Sequence, residues 1–217
     1  MENKFAKQKY ELVCKKVIAE LEKRHFEGYY ANDKEEALKI AISLINKDNC
    51  ISWGGSTTTK EIGLIEYITK NNYKTINRDN ASTKEEKDEL SRQALLCDTY
   101  IMGTNAITEE GELINVDCIG NRVGALMFGP KEVIVIIGRN KICKNKEDAI
   151  KRAREIAAPI NMQRIGELTG RKTPCIIDGV CHDCKSENSI CSNIVITRLC
   201  YPQKRIKVIL VNEDLGF

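Results

Sequence analysis

Residues 174–191, "PCIIDGVCHDCKSENSIC", place Cys175, Cys181, Cys184 and Cys191 with five, two and six residues between them. A Cys-x-x-Cys pair presents two thiolates to one metal, and flanking cysteines in the same loop can complete four ligands. Gly179 permits the tight bend that such wrapping needs. Structural zinc sites commonly use two such pairs, and only one is present. Four thiolates in a single short loop are closer to iron–sulfur usage, although the spacing is not the ferredoxin run. Three readings stand at this point: an iron–sulfur cluster, a zinc ion, or a metal-free loop of reduced or redox-active thiols centred on Cys181 and Cys184. Cys200 begins a different segment and falls outside the set. The other five cysteines are scattered and sit mostly among apolar neighbours, as small core residues do.

A second constellation is "ISWGGSTTTKEIG", residues 51–63. A short apolar segment turns through Gly54 and Gly55 into four hydroxyl residues and a helix. Backbone N–H groups converging at such a turn, with hydroxyls from Ser56, Thr57 and Thr58, make a cradle for a phosphate or carboxylate. The same pattern also serves as a plain strand-to-helix turn whose hydroxyls cap the helix. No lysine stands where a P-loop requires one.

These residues need elements to position them. Tyr10, Val13, Cys14, Val17 and Leu21 recur at helical spacing, so a helix is expected over about 3–25. Further helices are expected from Asn32 with Glu35 as a capping box, from Thr58 with Glu61, and from Ser82 with Glu85. "NCIS", "YKTI" and "TYIMG" read as strands, and "EEGE" as an antiparallel turn. "GNRVGALMFG" reads as a short helix and "KEVIVIIG" as a buried strand. A helix over 146–157 is expected to kink or end at Pro159. "SNIVITRL" and "RIKVILVN" read as two strands. Strands alternating with helices argue an α/β fold with a mainly parallel sheet flanked by helices. It is expected as a single domain over 1–217, with an N-terminal helix in 1–30 and a cysteine-rich excursion at 173–200.

In such a sheet, ligands bind beyond the carboxyl ends of the strands. That rule gathers loops 53–58, 103–111, 117–122 and 138–141. Asn121, Arg122, Asn140 and Lys141 are the expected ligand-binding partners of the glycine loop, the two cations neutralising an anion. Glu110 or Asp117 is the expected general base or nucleophile. The competing reading makes "EEGE" a solvated turn and Asp117 an ordinary strand-end acid.

Composition excludes several classes. The formal charge of +3 lacks the footprint of a nucleic-acid binder. No apolar run reaches the roughly 18 residues of a membrane span, and the charged N-terminus is unlike a signal peptide. A cytoplasmic location is therefore expected. There is no dinucleotide fingerprint, hence no nicotinamide or flavin motif. Two histidines, His25 and His182, offer no serine–histidine–acid arrangement.

Three segments, "WGGSTTTKEIGL", "TNAITEEGELINVDCIGNRVGALMFGPKEVIVIIGRNKI" and the tail from "TPCIIDG" to "VILVNEDLGF", resemble the LUD-domain family, the lactate-utilisation proteins. The resemblance spans nearly the whole chain. It implies a fold like ribose-phosphate isomerase, glucosamine-phosphate deaminase and the CoA transferases, whose equivalent loop holds a phosphate or an anionic substrate end. It also implies a role in lactate or related organic-acid oxidation beside iron–sulfur redox subunits, with a small anionic metabolite as ligand. Two alternatives stand beside this: a stand-alone enzyme acting on a phosphorylated or CoA-linked small molecule, and a non-catalytic metal- or redox-sensing module.

Overall fold

The computed structural model describes residues 4–217, so the expected helix start near residue 3 lies outside the described residues. In chain order the elements are α1 (Lys4–Lys23), β1 (Glu27–Ala31), α2 (Lys34–Leu44), β2 (Ile51–Trp53), α3 (Thr57–Glu61), α4 (Leu64–Lys70) and α5 (Lys84–Gln93). There follow β3 (Thr99–Gly103), β4 (Ala106–Thr108), β5 (Leu113–Asp117), α6 (Asn121–Met127), β6 (Glu132–Gly138) and β7 (Ile142–Cys143). The last are α7 (Lys146–Arg152), α8 (Ala158–Thr169), α9 (Pro174–Asp178), β8 (Asn193–Thr197) and β9 (Ile206–Val211).

A five-stranded parallel sheet, ordered β1-β9-β6-β3-β2, forms the centre. Strand β6 is its middle, and side-chain alternation assigns its residues to two cores. Val133, Val135 and Ile137 face Cys14, Val17 and Leu21 of α1. Ile134 and Ile136 face Ala37 and Ala41 of α2 and Leu64 and Ile68 of α4. Each of these isoleucines is fully buried, and such burial contributes about 1.5–3 kcal/mol per side chain. Helices on both faces explain why the strand reads as an unbroken β-branched run rather than an alternating one.

A second sheet, β7-β4-β5-β8, is mixed and was not anticipated as a separate layer. The "EEGE" turn does join an antiparallel pair, with Ile107 opposite Leu113. Of the two expected C-terminal strands, β8 pairs antiparallel with β5 and only β9 enters the parallel sheet. Strand β1 was missed because "EGYYA" is short and partly exposed. "YKTI" supplies only a single bridge, Thr75 to Ile51, at the sheet edge.

Caps moved by one or two residues. Asp33 caps α2 and Thr83 caps α5, with Glu36 and Glu86 reaching back to the N–H groups of Asn32 and Ser82. Ser56 rather than Thr58 caps α3. Pro159 does not end the helix before it: a π-turn over Ala153–Ala157 joins α7 to α8, and Pro159 falls in the first turn of α8. That position tolerates proline's missing N–H.

The carboxyl ends of all five parallel strands lie on one edge. That edge carries the glycine loop after β2, residues 104–105 after β3, residues 139–141 after β6, and the tail 212–217 after β9.

Candidate functional site

The glycine loop leaves β2 with the Gly54 N–H donating to the Ile101 carbonyl at 2.9 Å. Ser56 Oγ accepts from the Thr59 N–H, and Thr59 Oγ1 donates to the Ser56 carbonyl. Two of the four hydroxyls are thus used in capping, which is the structural role the sequence allowed. Gly103 at the end of β3 makes this packing feasible, since a Cβ there would stand 2.7 Å from Ser56 Oγ. Gly54 is buried, and a Cβ there would come within 3.1 Å of Arg122 Cδ. Gly55 is exposed, and the nearest atom to its would-be Cβ is Arg78 Nη2 at 3.2 Å.

Lys141 reaches the loop from the other side. Its Nζ donates to Thr58 Oγ1 at 2.9 Å, and the residue is 3% exposed. Among the described residues, no carboxylate lies within ion-pair distance of it. Burial pushes the Lys141 ammonium down to about 7, helped by the charges of Arg152 and Arg122 and opposed by Glu61. A buried ammonium without a counter-ion is costly to the fold, and perturbed groups of this kind concentrate at functional sites.

Arg122 is differently employed. Its Nε donates to Asp117 Oδ2 at 3.1 Å. Its Nη1 donates to the Gly103 carbonyl and Asn115 Oδ1, and its Nη2 to Asn105 Oδ1 and the Val116 carbonyl. The guanidinium therefore ties the ends of β3 and β5 to α6, as its place among close-packing residues in "GNRVG" requires. Burial holds it below the usual arginine range, with Asp117 opposing that shift. Asp117 is 8% exposed and also accepts from the Gly120 N–H at 2.8 Å. The aliphatic stem of Arg122 lies beside Gly54, with its polar groups turned to the protein.

Asn140 is committed to the C-terminal tail. Its Oδ1 accepts from the Leu215 N–H and its Nδ2 donates to the Gly216 carbonyl. The tail closes over α3: Thr58 Oγ1 donates to the Leu215 carbonyl and the Gly216 N–H donates to Glu61 Oε2. Arg139 holds the tail's base through Asp214 and Asn212. Gly216 has φ +58°, and a Cβ there would stand 2.5 Å from Thr58 Oγ1 and 3.2 Å from Lys141 Nζ. Gly216→Ala is expected to cost about 1–3 kcal/mol in urea denaturation. It should also speed amide hydrogen exchange at 215–217.

The structure thus brings Gly54, Gly55, Ser56, Thr57, Thr58, Asn140 and Lys141 to one edge, with Arg122 and Asp117 against its floor. Asn121 opens α6 next to Arg122. Glu110 stands apart from this group. Its side chain is 74% exposed and pairs with Arg24, just past the end of α1, at 3.6 Å, in a cleft shared with Lys16, Glu109 and Lys144. The "EEGE" turn is an ion-paired patch against α1, so Glu110 is not positioned to serve as a base at the glycine loop. Arg78 was missed. Its Nε is buried and, among the described residues, has no hydrogen-bond partner. It follows "YKTI" in a polar stretch that carries no periodic signal. The tail's contact with the loop was missed as well, since no local pattern links residue 216 to residue 58.

The cysteine segment forms a separate place. Cys175, Cys181, Cys184 and Cys191 all line one cavity of about 160 Å³, with Arg154 and Pro159 of the adjoining helical run. All four are free thiols of intermediate exposure, whereas Cys200 is buried in the main core. Burial pushes the Cys191 thiol up to about 11, followed by the charges of Cys181, Cys175 and Cys184. No group of three or more His, Cys, Asp or Glu side chains among the described residues is gathered closely enough to hold one metal ion.

The fold is that of an α/β protein with a strand–glycine–helix turn at the carboxyl edge of its parallel sheet. The family model described as "LUD domain" matches residues 14–211, and the chain belongs to that family. The family is associated with lactate utilisation. A DUF162 family protein from Deinococcus radiodurans has a similar fold, with a TM-score of 0.50 at 13% identity, over 94% of this chain and 98% of that one. No curated protein matches the chain. No helix among the described residues is long and apolar enough to cross a membrane.

Proposed function

We propose that this protein binds a small anionic metabolite at the glycine loop and acts as a component of lactate or related organic-acid oxidation, alongside iron–sulfur redox subunits. The observation that carries the ligand site is Lys141: a buried ammonium whose hydrogen-bond partner is the Thr58 hydroxyl at the helix end of the glycine loop. A bound carboxylate or phosphate would supply the counter-ion that the fold leaves out. Arg78, beside Gly55, adds a second cation at the more exposed lip. The family's association with lactate utilisation supports a short carboxylate as that anion.

Thermal-shift titration with lactate, pyruvate, phosphate and CoA compounds tests the reading, because a ligand that binds only the folded state raises its stability. A shift with lactate or pyruvate is the expected result. Gly55→Val should abolish it while leaving the melting temperature of the free protein within about 2–4 °C, since the site is exposed and only a flexible arginine must move. No response to any of these anions, or an equal response in the variant, would overturn the site.

A further inference from the structure

We propose that Cys175, Cys181, Cys184 and Cys191 hold a four-iron, four-sulfide cluster in the cavity they line. The four thiols come from one short segment that folds back on itself. Cys175 lies in the first turn of α9, Cys181 and Cys184 on the turn after it, and Cys191 at the approach to β8. Together they line one void.

The size of the cavity favours a cluster over a single ion. A zinc ion draws four sulfurs to about 2.3 Å from one point, so they stand about 3.8 Å apart at tetrahedral angles. The four cysteines line a void of about 160 Å³, more than one ion fills and room for an inorganic core.

The surroundings suit such a core. Ala158, Pro159 and Ile194 form an apolar wall. Arg154, presented by the π-turn between α7 and α8, pairs with Asp183 inside the Cys181–Cys184 turn and brings positive charge beside the thiolates. Fully ligated, four thiolates outweigh the charge of the core, so a nearby cation is favourable. Gly179 at φ +77° and Asp183 at φ +49° supply the reversals that wrap the loop around the void. This proposal is independent of the anion site.

The test uses the full chain purified anaerobically, with iron and sulfide reconstitution as a second preparation. The expected result is about four iron and about four sulfide per chain, a brown protein, and a paramagnetic signal on reduction. Alkylation under native conditions, read by mass spectrometry, should then spare these four cysteines and label them once iron is chelated. Cys181→Ser with Cys184→Ser should lose most of the iron, and Cys50→Ser should keep it. One zinc per chain, no metal after reconstitution, or unprotected cysteines in a brown protein would each overturn the proposal. The alkylation pattern decides the location even if the double variant fails to fold.

Discussion

Lys141→Met is expected to stabilise the ligand-free protein and abolish its response to anions. The methionine keeps the volume and removes a charge that is 3% exposed and lacks a carboxylate partner among the described residues. Substituting buried charges with apolar groups of similar size stabilises by about 1–4 kcal/mol, a rise in Tm of roughly 2–15 °C for a chain of this size. The effect should depend on pH in a definite direction. The unfolded lysine titrates at its ordinary value of 10.5 and the folded one at about 7. Between those values the unfolded chain binds more protons, so wild-type stability rises with pH across that window. The variant should lack that rise, and its advantage should be largest below pH 7 and shrink toward pH 10.5. Anion affinity of the wild type should run the other way, falling by up to about tenfold per pH unit above 7 as the ammonium discharges. Denaturation and titration at pH 6, 7.5 and 9 check both slopes. A variant less stable than wild type at pH 6, still shifted by the same anions, would remove Lys141 from the site.

Arg122→Ala is expected to do the opposite and cripple the fold. The guanidinium satisfies two backbone carbonyls, two asparagine oxygens and Asp117 in one buried junction. Removing it leaves Asp117 buried without its ion partner, a loss of about 3–5 kcal/mol, or roughly 6–20 °C in Tm. Arg122→Lys retains the charge but has three donors in place of a rigid five-donor fork, so it should fall between the two. Urea denaturation of the pair measures this. Near-native stability in Arg122→Ala together with lost anion binding would mark the arginine as a ligand group instead. The contrast with Lys141 separates a cation that the fold needs from one that it tolerates.

Much of the architecture was written locally. The run "EVIVIIG" could only be a strand covered on both faces, because β-branched residues at successive positions must bury both sides of the pleat. The stripe Cys14, Val17 and Leu21 defined α1's buried face. Glycines followed by hydroxyls located the turn into α3, although the cap fell on Ser56, since capping is decided by which hydroxyl meets the Thr59 N–H. The short β1 and the second sheet were not legible. Their strands are stabilised by partners far along the chain, such as β5 by β8, rather than by their own periodicity.

For the sites, residue types and their spacing selected the glycine loop, Lys141 and the four cysteines from the chain alone. Only tertiary structure sorted the charged candidates by role. Arg122 and Lys141 are both cations at strand ends in the sequence. One finds five acceptors and becomes a structural junction; the other finds a single hydroxyl and stays chemically available. Glu110 and Asp117 are likewise equivalent as text, yet one is carried to the surface of α1 and the other to the floor of the loop. Arg78 and the tail at Gly216 enter the site through contacts spanning tens to more than a hundred residues. Local patterns report what a segment must do with its own backbone and apolar face. Which polar groups are left without a partner depends on the whole packing, and that remainder defines the candidate site.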